Sequence, residues 1–107
     1  MIPPPFQPTA PRLVSPPNGS RFSNFPRTTT ISWQPVPGAQ RYQVEVDYCD
    51  PSGCNVTATR LLLTPVSATS YTFTFVGKQP GQWRVWAVSS SNVEGPKSDW
   101  WEFVYLV

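Results

Sequence analysis

Few residues in this chain could do chemistry. Six carboxylates are present, Glu45, Asp47, Asp50, Glu94, Asp99 and Glu102, and there is no histidine. Without an imidazole, Ser–His and Cys–His nucleophile pairs cannot be assembled, and the commonest metal ligand is missing. Glu45 and Asp47 stand two apart in "RYQVEVDY". A strand would place them on one face about 7 Å apart, within the carboxylate separation of inverting glycosidases. Nothing else in the sequence builds a cleft around that pair, which reads instead as solvated charge on an outer strand face. Phosphate-cradling glycine motifs are absent. No enzymatic activity, cofactor or metal is expected.

The two cysteines, in "CDPSGC" (49–54), carry more information. Asp, Pro and Gly occupy positions i, i+1 and i+3 of a type I turn. That turn sets Cys49 and Cys54 opposite each other across a hairpin, near the ~4.4–6.8 Å Cα separation a disulfide needs. Free thiols, or a two-ligand metal site, are the alternatives. Closing so short a loop contributes only about 2 kcal/mol, so a bridge here would serve to fix the turn. A disulfide implies an oxidising compartment, and an extracytoplasmic location (secreted, periplasmic or cell surface) is expected. "NGS" at Asn18 and "NVT" at Asn55 match the glycosylation sequon, which matters only in a eukaryotic secretory host.

The third feature is "GPKSDWWEFVY" (95–105), with two adjacent tryptophans. Neighbours in a strand point to opposite faces, so one of Trp100 and Trp101 faces the core and the other faces outward. An outward indole either shields something structural or waits for a partner.

These residues are positioned by strands. Seven of the 14 prolines fall within the first 17 residues, which excludes a helix there and favours extended polyproline II. Residues 1–10 read as a Pro-rich linker or tail, residues 11–107 as one domain, and Met1 as the start of a piece of a longer chain. "MIPPPFQPTAP" lacks the charged and apolar regions of a signal peptide. A short edge strand is expected around 12–15. Period-two alternation then marks strands at 28–33, 41–48, 70–75, 82–88 and 100–105, with a less regular one at 55–63. Inward positions include Thr29, Ile31 and Trp33; Tyr42, Val44, Val46 and Tyr48; Tyr71, Phe73 and Phe75. They continue with Trp83, Val85 and Ala87, and with Trp101, Phe103 and Tyr105. Arg84, Trp86, Val88, Trp100, Glu102 and Val104 turn outward. Seven short strands separated by Gly/Pro turns predict an all-β, antiparallel Greek-key sandwich.

Two stretches carry a family resemblance. "SWQPVPGAQRYQVEV" resembles the B–C region of fibronectin type III domains through Trp33, Val36, Gly38, Ala39, Tyr42 and Val44. "WRVWAVSSSNVEGPKS" resembles their F strand and F–G loop through Arg84, Val85, Ala87, Val88, Gly95, Pro96 and Ser98. The resemblance spans roughly residues 11 to 106 and implies that immunoglobulin-like fold, which hosts adhesion, receptor and spacer roles alike. One departure stands out: where the family's corner tyrosine falls, six residues before Ala87, this chain has Gly81, so "KQPGQ" must close the corner by turn geometry. The last strand also resembles in part the Trp-Ser-x-Trp-Ser region of class I cytokine receptors. Ser98-x-Trp100 is kept, with Lys97 in place of the first Trp and Trp101 in place of the last Ser. The tryptophans of that region stack with arginines of strand F. Here Arg84 and Trp100 would meet across neighbouring strands, with Glu45 facing the same guanidinium.

Two functions follow. One is a non-catalytic extracytoplasmic module, a spacer or protein-interaction domain within a larger secreted or surface protein. The other is a carbohydrate-binding module whose aromatic platform is Trp86 and Trp100, ringed by Arg84, Glu45 and Glu102. Charged residues make up only 13% of the chain against a typical ~25%, with net charge +2, and the eight Lys and Arg are spread thinly. A nucleic-acid partner is not expected. No apolar stretch approaches ~18 residues, so membrane insertion is not expected either. Expected partners are neighbouring domains of a parent chain and a protein or glycan ligand, and the chain is expected to be a monomer.

Overall fold

A computed structural model describes residues 9–107 of the chain. Residues 1–8 of the expected Pro-rich linker lie outside the described residues. In chain order the strands are β1 (Leu13–Ser15), β2 (Ser20–Phe22), β3 (Thr28–Trp33), β4 (Arg41–Asp50), β5 (Gly53–Val66), β6 (Ser70–Thr74), β7 (Pro80–Val88) and β8 (Trp101–Tyr105). They form two sheets, β1-β3-β6 and β2-β8-β7-β4-β5.

The expected seven strands become eight because the first is split. Pro16 and Pro17 cannot donate to a ladder, so the chain leaves β3 after Ser15. Gly19, at φ +86°, turns it. Residues Ser20–Phe22 then land on the other sheet, parallel to β8. A three-residue strand is too short to display an alternation, which is why β2 escaped the sequence reading.

The inner faces follow the alternation. Trp33, Tyr42, Val44, Phe73, Phe75, Trp83, Val85 and Phe103 are all buried, joined by Ile31, Val46, Ala87 and Tyr105. Trp33 packs edge-on against Tyr42 (centroids 5.6 Å apart), and the Tyr42 hydroxyl accepts from Val36 N–H (2.9 Å). That bond ties the Pro-rich β3–β4 turn to the core. Trp101 departs from expectation. It is half-buried, edge-on to Trp83 at 6.0 Å. The β2–β8 register runs from Phe103 to Tyr105, so Trp101 lies beyond the stretch that β2 pairs with.

At the start of β7, Gly81 makes room for rings. A Cβ there would lie 2.5 Å from Phe103 Cζ and 2.7 Å from Phe75 Cζ. Those two rings meet edge-on, 4.8 Å between centroids. Gln79 closes the turn: its side-chain amide donates to Cys49 C=O (2.9 Å), and its own carbonyl accepts from Tyr105 N–H (3.2 Å). A hydroxyl lock exists after all, from a different tyrosine. Tyr105 Oη bonds Thr29 Oγ1 (2.6 Å) and donates to Thr28 C=O (3.3 Å), joining the two sheets.

Candidate functional site

The outer face of the five-stranded sheet holds the residues singled out by the sequence. Antiparallel register sets Glu45 opposite Arg84 and Gln43 opposite Trp86 on β4 and β7. After β7 the chain loops over residues 89–94, where Ser89 Oγ accepts from the N–H groups of Ser91 (3.2 Å) and Val93 (3.1 Å). It then returns along β7: Gly95 N–H donates to Ala87 C=O (2.8 Å) and Ser98 N–H to Val85 C=O (2.9 Å). Buried Ser98 also accepts from Val85 N–H through Oγ (3.0 Å). This seam brings Lys97 and Trp100 over the outward side chains of β7.

The result is an alternating stack. Lys97 Nζ lies 4.7 Å from the Trp86 ring, Arg84 Cζ lies 5.8 Å from that ring, and the same Cζ lies 4.1 Å from Trp100. The contact between Arg84 and Trp100 is the one the sequence predicts. Carboxylates fix the stack: Arg84 Nε donates to Glu45 Oε1 (2.8 Å), and Trp86 Nε1 donates to Glu94 Oε1 (2.6 Å). Arg60, from β5, donates to the other Glu45 oxygen through Nη2 (3.2 Å) and Nε (3.3 Å).

Three expectations about this face are corrected. Trp86 is only 5% exposed, because Lys97, Arg84 and Glu94 cover it, so Trp86 and Trp100 do not form an open indole pair. Glu45 and Asp47 are buried, at 5% and 7% exposure, rather than solvated. Glu45 is paired on both oxygens, as a buried charge requires, whereas Asp47 has one bond, Oδ2 accepting from Gln82 Nε2 (3.0 Å), and its Oδ1 is buried without a partner among the described residues. Glu102 is exposed and stands one row away: its cross-strand neighbour is Gln82, and its backbone N–H donates to Asn18 Oδ1 (2.7 Å). Sequence reasoning missed Lys97, Glu94 and Arg60 as members of the stack. The only hint was Lys97 standing where the receptor motif has a ring.

Cys49 and Cys54 form the disulfide across the β4–β5 hairpin, with Cα atoms 4.8 Å apart. The turn spans Asp50–Gly53 as expected, with Ser52 N–H donating to Asp50 Oδ1 (2.8 Å), but the register then breaks, so that the ladder partner of Cys49 is Ala58 rather than Cys54.

Two facing sheets, a Trp on β3 against a Tyr on β4, and a β7–β8 seam of this kind define a fibronectin type III fold. Solved structures agree. The chain is similar to an Fn3-like protein from Clostridium thermocellum, at 24% identity over 91% of this chain and 95% of that one, TM-score 0.59. It is similar to FN3tt at 14% identity over 91% and 96% of the two chains, TM-score 0.52. It also matches part of a β-1,2-glucanase from Parabacteroides distasonis, at 16% identity and TM-score 0.65, covering all of this chain but 14% of that enzyme. No protein-family model and no curated protein matches the sequence.

Proposed function

We propose that the chain is a non-catalytic spacer or interaction module within a larger extracytoplasmic protein. The observation that carries this reading is an exposed apolar patch at one end of the sandwich, opposite the end where Arg12 joins β3. At the Trp33 end of β3, Gln34 N–H donates to Arg12 C=O (2.8 Å); at the opposite end, Arg27 Nη1 donates to Val107 C=O (3.3 Å). Arg12 and Val107 therefore lie at opposite ends of β3. The Val107 end is apolar. Phe25 is 75% exposed, and Val76, Leu106 and Val107 are exposed beside it. Arg27 gathers this patch: it donates to Phe75 and Val76 carbonyls (both 3.1 Å) and lies 5.3 Å from the Phe25 ring. An exposed apolar patch of this kind is what a neighbouring module would cover. The disulfide supports an oxidising compartment. No helix among the described residues is long and apolar enough to cross a membrane.

Small-angle scattering of the chain flanked by two folded reporter domains tests the spacer reading. Reporters held at opposite ends of an elongated particle are expected; reporters lying side by side refute it.

The likeness to a small part of a β-1,2-glucanase supports a second reading, a carbohydrate-binding module. On the face made by Trp86, Trp100, Arg84, Glu45 and Glu102 it has less in its favour, because Lys97 and Arg84 already lie over Trp86.

A further inference from the structure

The split of the first strand has a second effect. β1 pairs with β3 only as far as Ser15–Ser32, whereas β3 begins at Thr28. Its lower half therefore has an open side. Residues of a strand direct their backbone groups alternately to the two neighbours. Gln34 N–H points to the β1 side and Trp33 N–H points to Thr69 on the β6 side, so Thr28 and Thr30 turn their N–H and C=O groups toward the opening. Thr28 C=O is taken by Tyr105. The Thr30 pair and the Thr28 N–H face a cavity of about 200 Å³, where β1 would have continued.

The cavity walls are chemically of one kind. Half-buried Phe22, backed by the buried Tyr105 ring 5.1 Å away between centroids, gives it an aromatic wall. Asn24, Thr28 and Ser15 supply amide and hydroxyl groups, and no charged side chain lines it. The Asn24 amide nitrogen is used on Pro26 C=O (2.9 Å) and Ser15 Oγ on Ser32 Oγ (2.7 Å). That leaves Asn24 Oδ1 and the Thr28 hydroxyl without partners among the described residues. Asn24, Thr28 and Thr30 are exposed, so water meets these groups in the free chain; a ligand that displaces that water beside an aromatic wall must present C–H on one face and uncharged donors and acceptors at its rim. An ion would find no countercharge, and a purely apolar ligand would bury the Thr30 backbone groups unsatisfied. The size narrows the choice. The cavity has room for about seven waters at ~30 Å³ each, and it is smaller than the ~300–1,000 Å³ of pockets for drug-sized molecules. One six-membered ring with its hydroxyls fills such a space.

We propose that this gap between β1 and β2 binds a single pyranose ring of a neutral saccharide, ring face on Phe22 and hydroxyls on Asn24, Thr28 and the Thr30 backbone. The site is separate from the Arg84–Trp100 face and does not depend on whether the chain spaces other domains.

Titration of the ¹⁵N-labelled chain with maltose, cellobiose, lactose and mannobiose, with glucuronic acid as the charged comparison, tests this by amide shifts. At least one neutral disaccharide is expected to move the Thr28 and Thr30 amides and the Asn24 side-chain amide. Glucuronic acid should bind at least 10-fold more weakly. The Asn24→Ala/Thr28→Val variant should lose 10-fold or more in affinity, and Thr30→Lys, which fills the mouth, should do the same by a different route. The dispersed spectrum of each variant reports that it is folded. Shifts confined to Trp100 and Arg84, no shifts with any of the four sugars, or unchanged affinity in both variants would overturn the proposal. So would displacement of these amides only by an extended peptide, which would pair with the open β3 edge instead.

Discussion

Removing Trp100 and Arg84 separately and together should reveal a coupling of about 1 kcal/mol. The guanidinium carbon is 4.1 Å from the Trp100 ring, and the Arg84 side chain is 25% exposed. Cation–π contacts range from ~0.5–1 kcal/mol in solvent to ~2 when desolvated, and this partly shielded pair falls between. Trp100→Ala also uncovers the aliphatic stem of Arg84, so its total loss should be about 1–2 kcal/mol. Arg84→Ala should cost more, because Glu45 Oε1 then has no partner while the side chain stays buried. Arg60 still holds Oε2, which keeps the loss nearer 2–3 kcal/mol than the upper end of the ~3–5 expected for an uncompensated buried charge. Urea unfolding of the four proteins gives the cycle. Repeating it with Glu45→Gln throughout separates the ring contact from the ion pair, and the coupling should persist there. A coupling no larger than the ~0.3–0.5 kcal/mol scatter of additive pairs would refute the stack as a stabilising element.

Two further outcomes follow from the packing. Gly81→Ala should destabilise by about 2 kcal/mol or more in thermal unfolding, because the new Cβ meets two buried rings at 2.5 and 2.7 Å and neither is a flexible side-chain end; an unchanged melting temperature would show that the corner has slack. Cys49→Ser/Cys54→Ser should lose about 2 kcal/mol, the loop-closure contribution at a sequence separation of 5. Its fold should be intact by circular dichroism, since the hairpin keeps its ladder; intact mass before and after reduction of the native chain should differ by two hydrogens.

The inner faces were legible because burial there is local information: alternation alone assigned Ile31, Trp33, Val44, Phe73, Trp83, Val85 and Phe103 to the core. The outer face was not, and the reason is physical. Alternation tells which side of a sheet a residue takes, not what will cover it. Trp86 is buried by Lys97 and Glu94, which arrive only because residues 95–98 fold back along β7. Glu45 is buried beneath Arg60, which sits beside a bulge in β5 where the register skips Leu61. That break hid the regular pattern which would have set Arg60 on the same face. Arg84–Trp100 could be anticipated because two adjacent strands suffice to bring the pair together.

The departure from the receptor-like motif then has a chemical explanation. A ring at position 97 would face Trp86 with a second quadrupole of the same sign. Lysine there gives Trp86 a cation of its own, in addition to the more distant Arg84. The order becomes Lys97, Trp86, Arg84, Trp100, with opposite partners at every step and Glu45 balancing the central charge. Such a stack needs nothing from outside to be satisfied. The outward tryptophan at position 100 is thus the end of a stack whose rings and charges satisfy one another on the β4–β7 face, and the neutral cleft between β1 and β2 offers exposed polar groups to a partner.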